Sequence, residues 1–223
     1  MKNIRFFLSQ NKHFYLCFLL LPLLIWFKYL EITIVPHYII HTALDDQIPF
    51  IKAFVIPYLL WFPYMIYGVA YVGFHSKRDF YKVLIFLAGG MSVAYIAYML
   101  FPNAQDLRPV ITGNDPFAQL VRFLYATDTP TNVCPSIHVM NSIAINASLH
   151  HSEAFKTKKL GLLISSITAV MICLSTLFIK QHSVIDAACG LLVSIVFYMA
   201  LYPLPKLRKQ LKTTPELTPA DGS

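Results

Sequence analysis

Three short stretches carry residue types that can do chemistry together. The first is His182-Ser183-Val184-Ile185-Asp186. On a helix, residues four apart share one face, so Asp186 can accept a hydrogen bond from one imidazole nitrogen of His182. That bond fixes the tautomer and leaves the other nitrogen with a free lone pair, as a nucleophile requires. The second is Cys134-Pro135-Ser136-Ile137-His138. Pro135 suits the first helical position, and the N–H groups of that turn, around Ser136, lack intrahelical partners and suit an anion. His138 lies in that same turn. The third is Asp106-Leu107-Arg108-Pro109, where Arg108 offers a planar fork of donors that matches phosphate oxygens.

The elements that must position these groups are membrane helices. Of the 223 residues, 57% are apolar and only 13% charged, with mean hydropathy +0.57. Soluble domains carry about a quarter charged residues, so a soluble globular protein, a disordered chain and a disulfide-stapled scaffold are excluded. Cys17, Cys134, Cys173 and Cys189 have no metal-like spacing and read as small apolar fillers. Apolar stretches near the roughly 20 residues needed to cross a bilayer fall at 14–34, 52–74, 80–101, 160–179 and 184–204. A sixth, 135–150, is shorter and carries Asn141, Ser142, Asn146 and Ser148, so hydropathy alone reads it as a buried polar helix. The first run follows Lys2, Arg5 and Lys12 but lacks a small-residue cleavage site before Glu31, so an uncleaved span is expected.

Charge placement decides the sixth segment. The net charge of +7 would ordinarily raise nucleic acid as a partner, but here its distribution sets orientation. With six spans, 13 of the 18 basic residues share one side: Lys2, Arg5, Lys12, Lys77, Arg78, Lys82, Lys156, Lys158, Lys159, Lys206, Arg208, Lys209 and Lys212. With five, the loop containing Lys156, Lys158 and Lys159 moves across and the asymmetry weakens. The expectation is an all-α six-helix membrane domain over 1–204, with a basic, disordered cytoplasmic tail at 205–223. Both termini are then cytoplasmic, and the site faces outward from a plasma or cytoplasmic membrane. No nucleic-acid partner is expected, and the oligomeric state is not legible.

Other residues have plainer readings. Asp115-Pro116 caps a short helix, Phe117 to Ala126, whose Arg122 snorkels. His37, His41 and Asp45 recur every four residues, a metal-like spacing that an amphipathic interfacial helix explains more simply. His150 and His151 open a solvated loop, and the Asn146 sequon lies inside a helix. Trp26 and Trp61 suit an interfacial aromatic belt.

In their order, the three stretches resemble the type 2 phosphatidic acid phosphatase superfamily, whose pattern is Lys-x6-Arg-Pro, Pro-Ser-Gly-His and Ser-Arg-x5-His-x3-Asp. The matching residues are Arg108-Pro109, Pro135-Ser136-Ile137-His138 and Ser175-Thr176-x5-His182-x3-Asp186, within a resemblance covering about 45–200. Phe101, Ile137 and Thr176 stand where the pattern has Lys, Gly and Arg. Two cationic ligands are thus replaced, and Lys180 offsets them in part. Cys134-Pro135-Ser136-Ile137-His138-Val139 and the stretch 175–190 look more like the branch of inositol phosphorylceramide synthase and its bacterial relatives. The segment from Asp45 and Asp46 into Tyr58, Trp61 and Pro63 is similar to that branch as well.

The resemblance implies that His182 attacks phosphorus to form a phosphohistidine, with Asp186 orienting it. It implies that His138 protonates the leaving oxygen and then deprotonates an incoming water or alcohol. Arg108, Ser136 and Lys180 would bind the substrate phosphate, and no metal or cofactor is required. The expected substrate is a membrane lipid phosphate, and hydrolysis and headgroup transfer both remain open. Two further classes stand beside this one. One is a transporter or scaffold in which His138, His182 and Asp186 relay protons or pack. The other is a metal-dependent hydrolase that uses them as ligands.

Overall fold

A computed structural model describes residues 11–202, whose regular elements are helices apart from two short strands. The tail expected at 205–223 lies outside the described residues. A 3-10 stretch, Lys12–Leu19, continues directly into α1 (Leu20–Thr33). There follow β1 (Tyr38–Ile39), α2 (Ala43–Gln47), α3 (Val55–Leu59), α4 (Trp61–His75) and α5 (Lys77–Leu100). Then come β2 (Asn103–Ala104), α6 (Pro116–Thr127), α7 (Ile137–His151), α8 (Lys159–Phe178) and α9 (Val184–Leu201). Side-chain caps set several starts: Ser76 accepts from Asp79 N–H at 3.2 Å before α5, and Asp115 accepts from Ala118 N–H at 3.2 Å before α6. The short helix expected after Asp115-Pro116 is therefore present as α6.

Among the described residues, five helical segments are long and apolar enough to cross a bilayer: Lys12–Thr33, Lys52–His75, Lys77–Leu100, Lys159–Phe178 and Val184–Leu201. The chain is thus an all-helical integral membrane protein. Ile25, Ile66, Leu160 and Val196 point outward from these helices, as lipid-facing side chains do.

The short polar helix α7 occupies the centre, packed against α4, α5, α8 and α9. Several of its polar residues find partners inside the bundle, although Asn141 Oδ1 is buried without one. Ser148 Oγ donates to Ala144 O at 2.8 Å and meets the Tyr202 hydroxyl at 2.9 Å, and Asn146 Oδ1 accepts from Ser165 Oγ at 2.9 Å. Gly68 of α4 lets Ile145 approach so closely that an added Cβ would lie 2.3 Å from its Cγ2. Low hydropathy here therefore marks a helix surrounded by protein rather than by lipid.

The bundle has two distinct ends. At one, His13 Nε2 meets Gly73 O at 2.8 Å, Tyr71 donates to Ala154 O at 3.2 Å, and Lys82 lies 4.8 Å from the Tyr202 ring. The C-terminus of α7 is at this end, where His151 stacks on Tyr202. At the other end, β1 pairs in parallel with β2, Tyr38 opposite Asn103 and Ile39 opposite Ala104. That pairing corrects the interfacial helix expected through His37, His41 and Asp45. Residues 37–40 are extended because their backbone groups bond to Pro102 and Ala104, and only Ala43–Gln47 is helical. Helical spacing there is a coincidence of local sequence overridden by a partner some 65 residues away.

Candidate functional site

His182 is held by a turn that the chain makes twice over. At the end of α8, the N–H groups of Gln181 and His182 both donate to Thr176 O, at 2.9 and 3.0 Å, while Lys180 N–H donates to Leu177 O at 3.1 Å. This Schellman-type ending puts Lys180 in the left-handed region, φ 55°. α9 then starts at once with a capping box, in which Asp186 Oδ2 accepts Ser183 N–H at 2.8 Å. His182 sits between the two motifs. Its Nδ1 lies 3.4 Å from Asp186 Oδ2, longer than an ordinary hydrogen bond, and Asp186 Oδ1 is buried without a partner. With Nδ1 toward the carboxylate, Nε2 is the nitrogen left for chemistry.

Segment α2 clasps this turn from outside. Asp45 is buried; its Oδ2 accepts Ser183 Oγ–H at 2.7 Å and its Oδ1 accepts Val184 N–H at 2.8 Å. Lys180 Nζ donates to the Asp45 backbone oxygen at 2.5 Å. Burial alone would push the Asp45 carboxyl up, but hydrogen bonds from Val184, Ser183 and Thr42 outweigh it and hold it below the usual carboxylate range. Lys180 therefore braces the turn instead of facing the cavity.

His138 occupies the first turn of α7. Ser136 is the cap, its Oγ accepting Val139 N–H at 3.5 Å, so the helix begins at Ile137. This corrects the placement of Pro135 at the first helical position: it precedes the cap. The Ser136 N–H is already taken, donating to Asp186 O at 3.0 Å, which docks α7 onto α9. Gly190 permits the docking, since a Cβ there would lie 2.8 Å from Ser136 O. The His138 ring rests among aromatic rings, 4.5 Å from Tyr58 and 4.7 Å from Trp61 by centroid. Trp61 is thus a wall of this site. The His138 and His182 rings are 5.8 Å apart.

Both histidines line one cavity of about 480 Å³. Its walls are mostly apolar, from Leu24 and Phe27 of α1 to Phe62 of α4 and Phe123 of α6. Its polar lining includes Asp128, Thr129, Thr131, Asn132 and Gln181. Arg108 is not among the lining residues. Its NH1 donates to Tyr125 O at 3.2 Å, its NH2 to Asp128 O at 2.7 Å and to Gln181 Oε1, and it stacks on the Tyr125 ring. Burial pushes the guanidinium pKa down, against the pull of Asp128. Its Nε is buried without a partner. Arg108 thus reaches His182 only through Gln181, the residue before it. Arg122 does not snorkel: it donates to Ile111 O, Gly113 O and Asn114 Oδ1 and closes the loop onto α6.

Asp128 and Asn132 escaped the sequence reading. Asp128 Oδ2 accepts Tyr58 O–H at 2.7 Å and Gln181 Nε2–H at 3.3 Å, and burial raises its carboxyl above the ordinary range. Asn132 is buried with φ 56°, and neither Nδ2 nor Oδ1 has a partner. Nothing local marks either residue: Asp128 lies in a Thr-Asp-Thr-Pro stretch that reads as a turn. Asn103 brings the segment in, its Oδ1 accepting the N–H groups of Val133 and Cys134, both at 2.9 Å. Among the described residues, no group of three or more His, Cys, Asp or Glu side chains forms a metal-holding set.

A family model described as the PAP2 superfamily matches residues 83–210, more than half of the chain. That stretch includes Arg108, His138, His182 and Asp186. No curated protein and no solved structure matches the chain.

Proposed function

The chain belongs to the PAP2 superfamily, and on that premise we propose that it is a membrane phosphatase or phosphotransferase acting on lipid phosphates through a phosphohistidine. The observation that carries the reading is the pair of imidazoles, His138 and His182, 5.8 Å apart on one cavity. His182 Nε2 attacks phosphorus, and the bond from phosphorus to the leaving oxygen breaks. His138 gives that oxygen its proton. Water or an alcohol then attacks the phosphohistidine, the P–N bond breaks, and the acceptor's proton passes to His138. Asp186 orients His182 and stabilises its positive charge. Arg108 acts by holding Gln181 and the Asp128 loop, and direct binding of phosphate requires it to exchange those carbonyl partners. Ser136 and Lys180 serve as the α7 cap and the α8–α9 brace.

In the proposed topology α7 is the sixth crossing, and both termini are cytoplasmic. Its support is that α7 runs from the cavity end to the end holding His13, Lys82 and the Lys-rich 156–159 loop. The site then faces outward. Transfer to an alcohol, as in the inositol phosphorylceramide synthase branch, differs from hydrolysis only in the second acceptor.

The test is to incubate the purified protein with phosphate-labelled lipids, with and without added alcohols. Acid-labile label on His182, and products that distinguish water from alcohol, are expected. If no lipid yields a His182-dependent product, the reading fails.

A further inference from the structure

We propose that His41 is a positioning residue for the turn that carries His182, acting as a proton-dependent link between the two segments that hold this turn. The inference rests on the reading of His182 as the nucleophile.

The turn at 180–184 is held from two sides. From α2, the Asp45 carboxylate accepts Ser183 Oγ–H and Val184 N–H, and the Asp45 backbone oxygen accepts Lys180 Nζ–H. From the segment after β2, Gln105 Nε2 donates to Lys180 O at 3.0 Å and Arg108 donates to Gln181 Oε1. His41 joins the two holders. Its Nε2 lies 2.8 Å from Oδ1 of Asp46, the residue after Asp45. Its Nδ1 lies 3.0 Å from Oδ1 of Asp106, the residue after Gln105. Each contact is thus one residue away from a group that grips the turn, and His41 keeps the two grips in register.

The chemistry of the ring makes this link conditional. An imidazolium donates from both nitrogens, whereas a neutral ring donates from one and turns a lone pair toward the other carboxylate. Both bonds therefore form only when His41 carries a proton. The charged groups facing it are Asp46 from α2 and Asp106 from the loop after β2, while Asp45 is turned to Ser183 and Val184. The bond with Asp46, joined by that with Asp106, outweighs desolvation and holds the ring's pKa above its ordinary value. The link is then complete below the unfolded value of about pH 6.5 and is lost as pH rises through the raised one. The side chain is 37% exposed, so solvent protons reach it.

The test has one arm without turnover and one with it. In the first, full-length protein carrying isotope-labelled histidine is titrated in detergent micelles and followed by NMR, with His41→Gln identifying the ring signal. His41 should titrate above an ordinary histidine, and Asp46→Asn and Asp106→Asn should each lower its pKa. A ring that titrates at or below the ordinary value, or is indifferent to either substitution, overturns the link.

In the second arm, kcat and KM for an aryl phosphate are measured against pH for wild type, His41→Gln and His41→Arg. Ratios to wild type cancel the titrations of His138 and His182, which all three proteins share. Exposed ion pairs are individually weak, so at low pH His41→Gln should be slower by only about threefold in kcat, with KM nearly unchanged. That ratio should return to one as pH rises through the His41 value. His41→Arg stays charged and can donate to both carboxylates, so it should match wild type at low pH and exceed it by about threefold at high pH. A His41→Gln ratio that stays flat with pH, or an effect in KM alone, overturns the positioning role. Wild type that turns over neither lipid nor aryl phosphate overturns the catalytic reading, a result distinct from turnover with a flat ratio.

Discussion

The two histidines share a cavity and almost nothing else. His182 lies in a polar clasp, with Asp186 in the first turn of α9, Ser183 beside it, and Asp45 and Lys180 tying the turn to α2. His138 lies against Tyr58 and Trp61, in the first turn of a helix whose cap is bonded to Asp186 O. The clasp turns Nδ1 of His182 toward Asp186, as the proposed nucleophile requires. The aromatic bed holds the His138 ring beside the same cavity, within reach of a leaving oxygen in the proposed reaction. The difference in surroundings matches the division of labour proposed for the two side chains.

The sharpest way to break the comparison is at the rings themselves. His182→Ala should lower kcat by about 10⁴-fold or more and abolish acid-labile label. His138→Ala should cost about 10²–10⁴-fold on alkyl phosphates and far less on an aryl phosphate, whose leaving group needs no proton. If both variants lose the aryl substrate equally, the division of labour is wrong.

The clasp is the next target. Asp45→Asn removes the charge that Ser183 Oγ, Val184 N–H and Thr42 bond to. It should destabilise the fold by about 1–3 kcal/mol and lower kcat by about 10-fold with KM nearly unchanged. The folded-state carboxyl titrates below its unfolded value of about 3.9. Its stabilisation is therefore complete above about pH 4 and is lost as pH falls through the lowered value. Acid unfolding of wild type should be steeper than that of Asp45→Asn across that window.

The smallest effect is expected in the aromatic bed. Trp61→Phe keeps a ring against His138 and removes a buried indole N–H that has no partner. Stability, measured by denaturant, should be unchanged or rise by under about 1 kcal/mol, with kcat within about threefold. A large loss would give the indole N–H a ligand-binding role.

The sequence made legible what is local. The cap at Asp115, the apolar runs, and the i,i+4 pairing of His182 with Asp186 all depend on neighbours a few residues apart. Asp45 was visible only as one of three residues at helical spacing, because its partners Ser183 and Val184 lie some 138 residues on. Asp128 and Asn132 were invisible for the same reason: Asn103 and Arg108 fold their loop over the cavity through backbone contacts that no side-chain pattern encodes. Arg108 was recognised by type, but its engagement with three protein oxygens could not be read from a motif.

The length of α7 has a kinetic consequence. Fifteen residues rise about 22 Å, whereas the hydrocarbon layer is about 30 Å thick. In the proposed topology, a centre at the head of so short a helix lies beneath the plane where the longer helices end, behind a wall made partly of Leu24 and Phe27. A lipid substrate of the proposed reaction would then arrive by lateral diffusion within its own leaflet, and the rate should follow surface mole fraction, falling when inert lipid is added at constant bulk concentration.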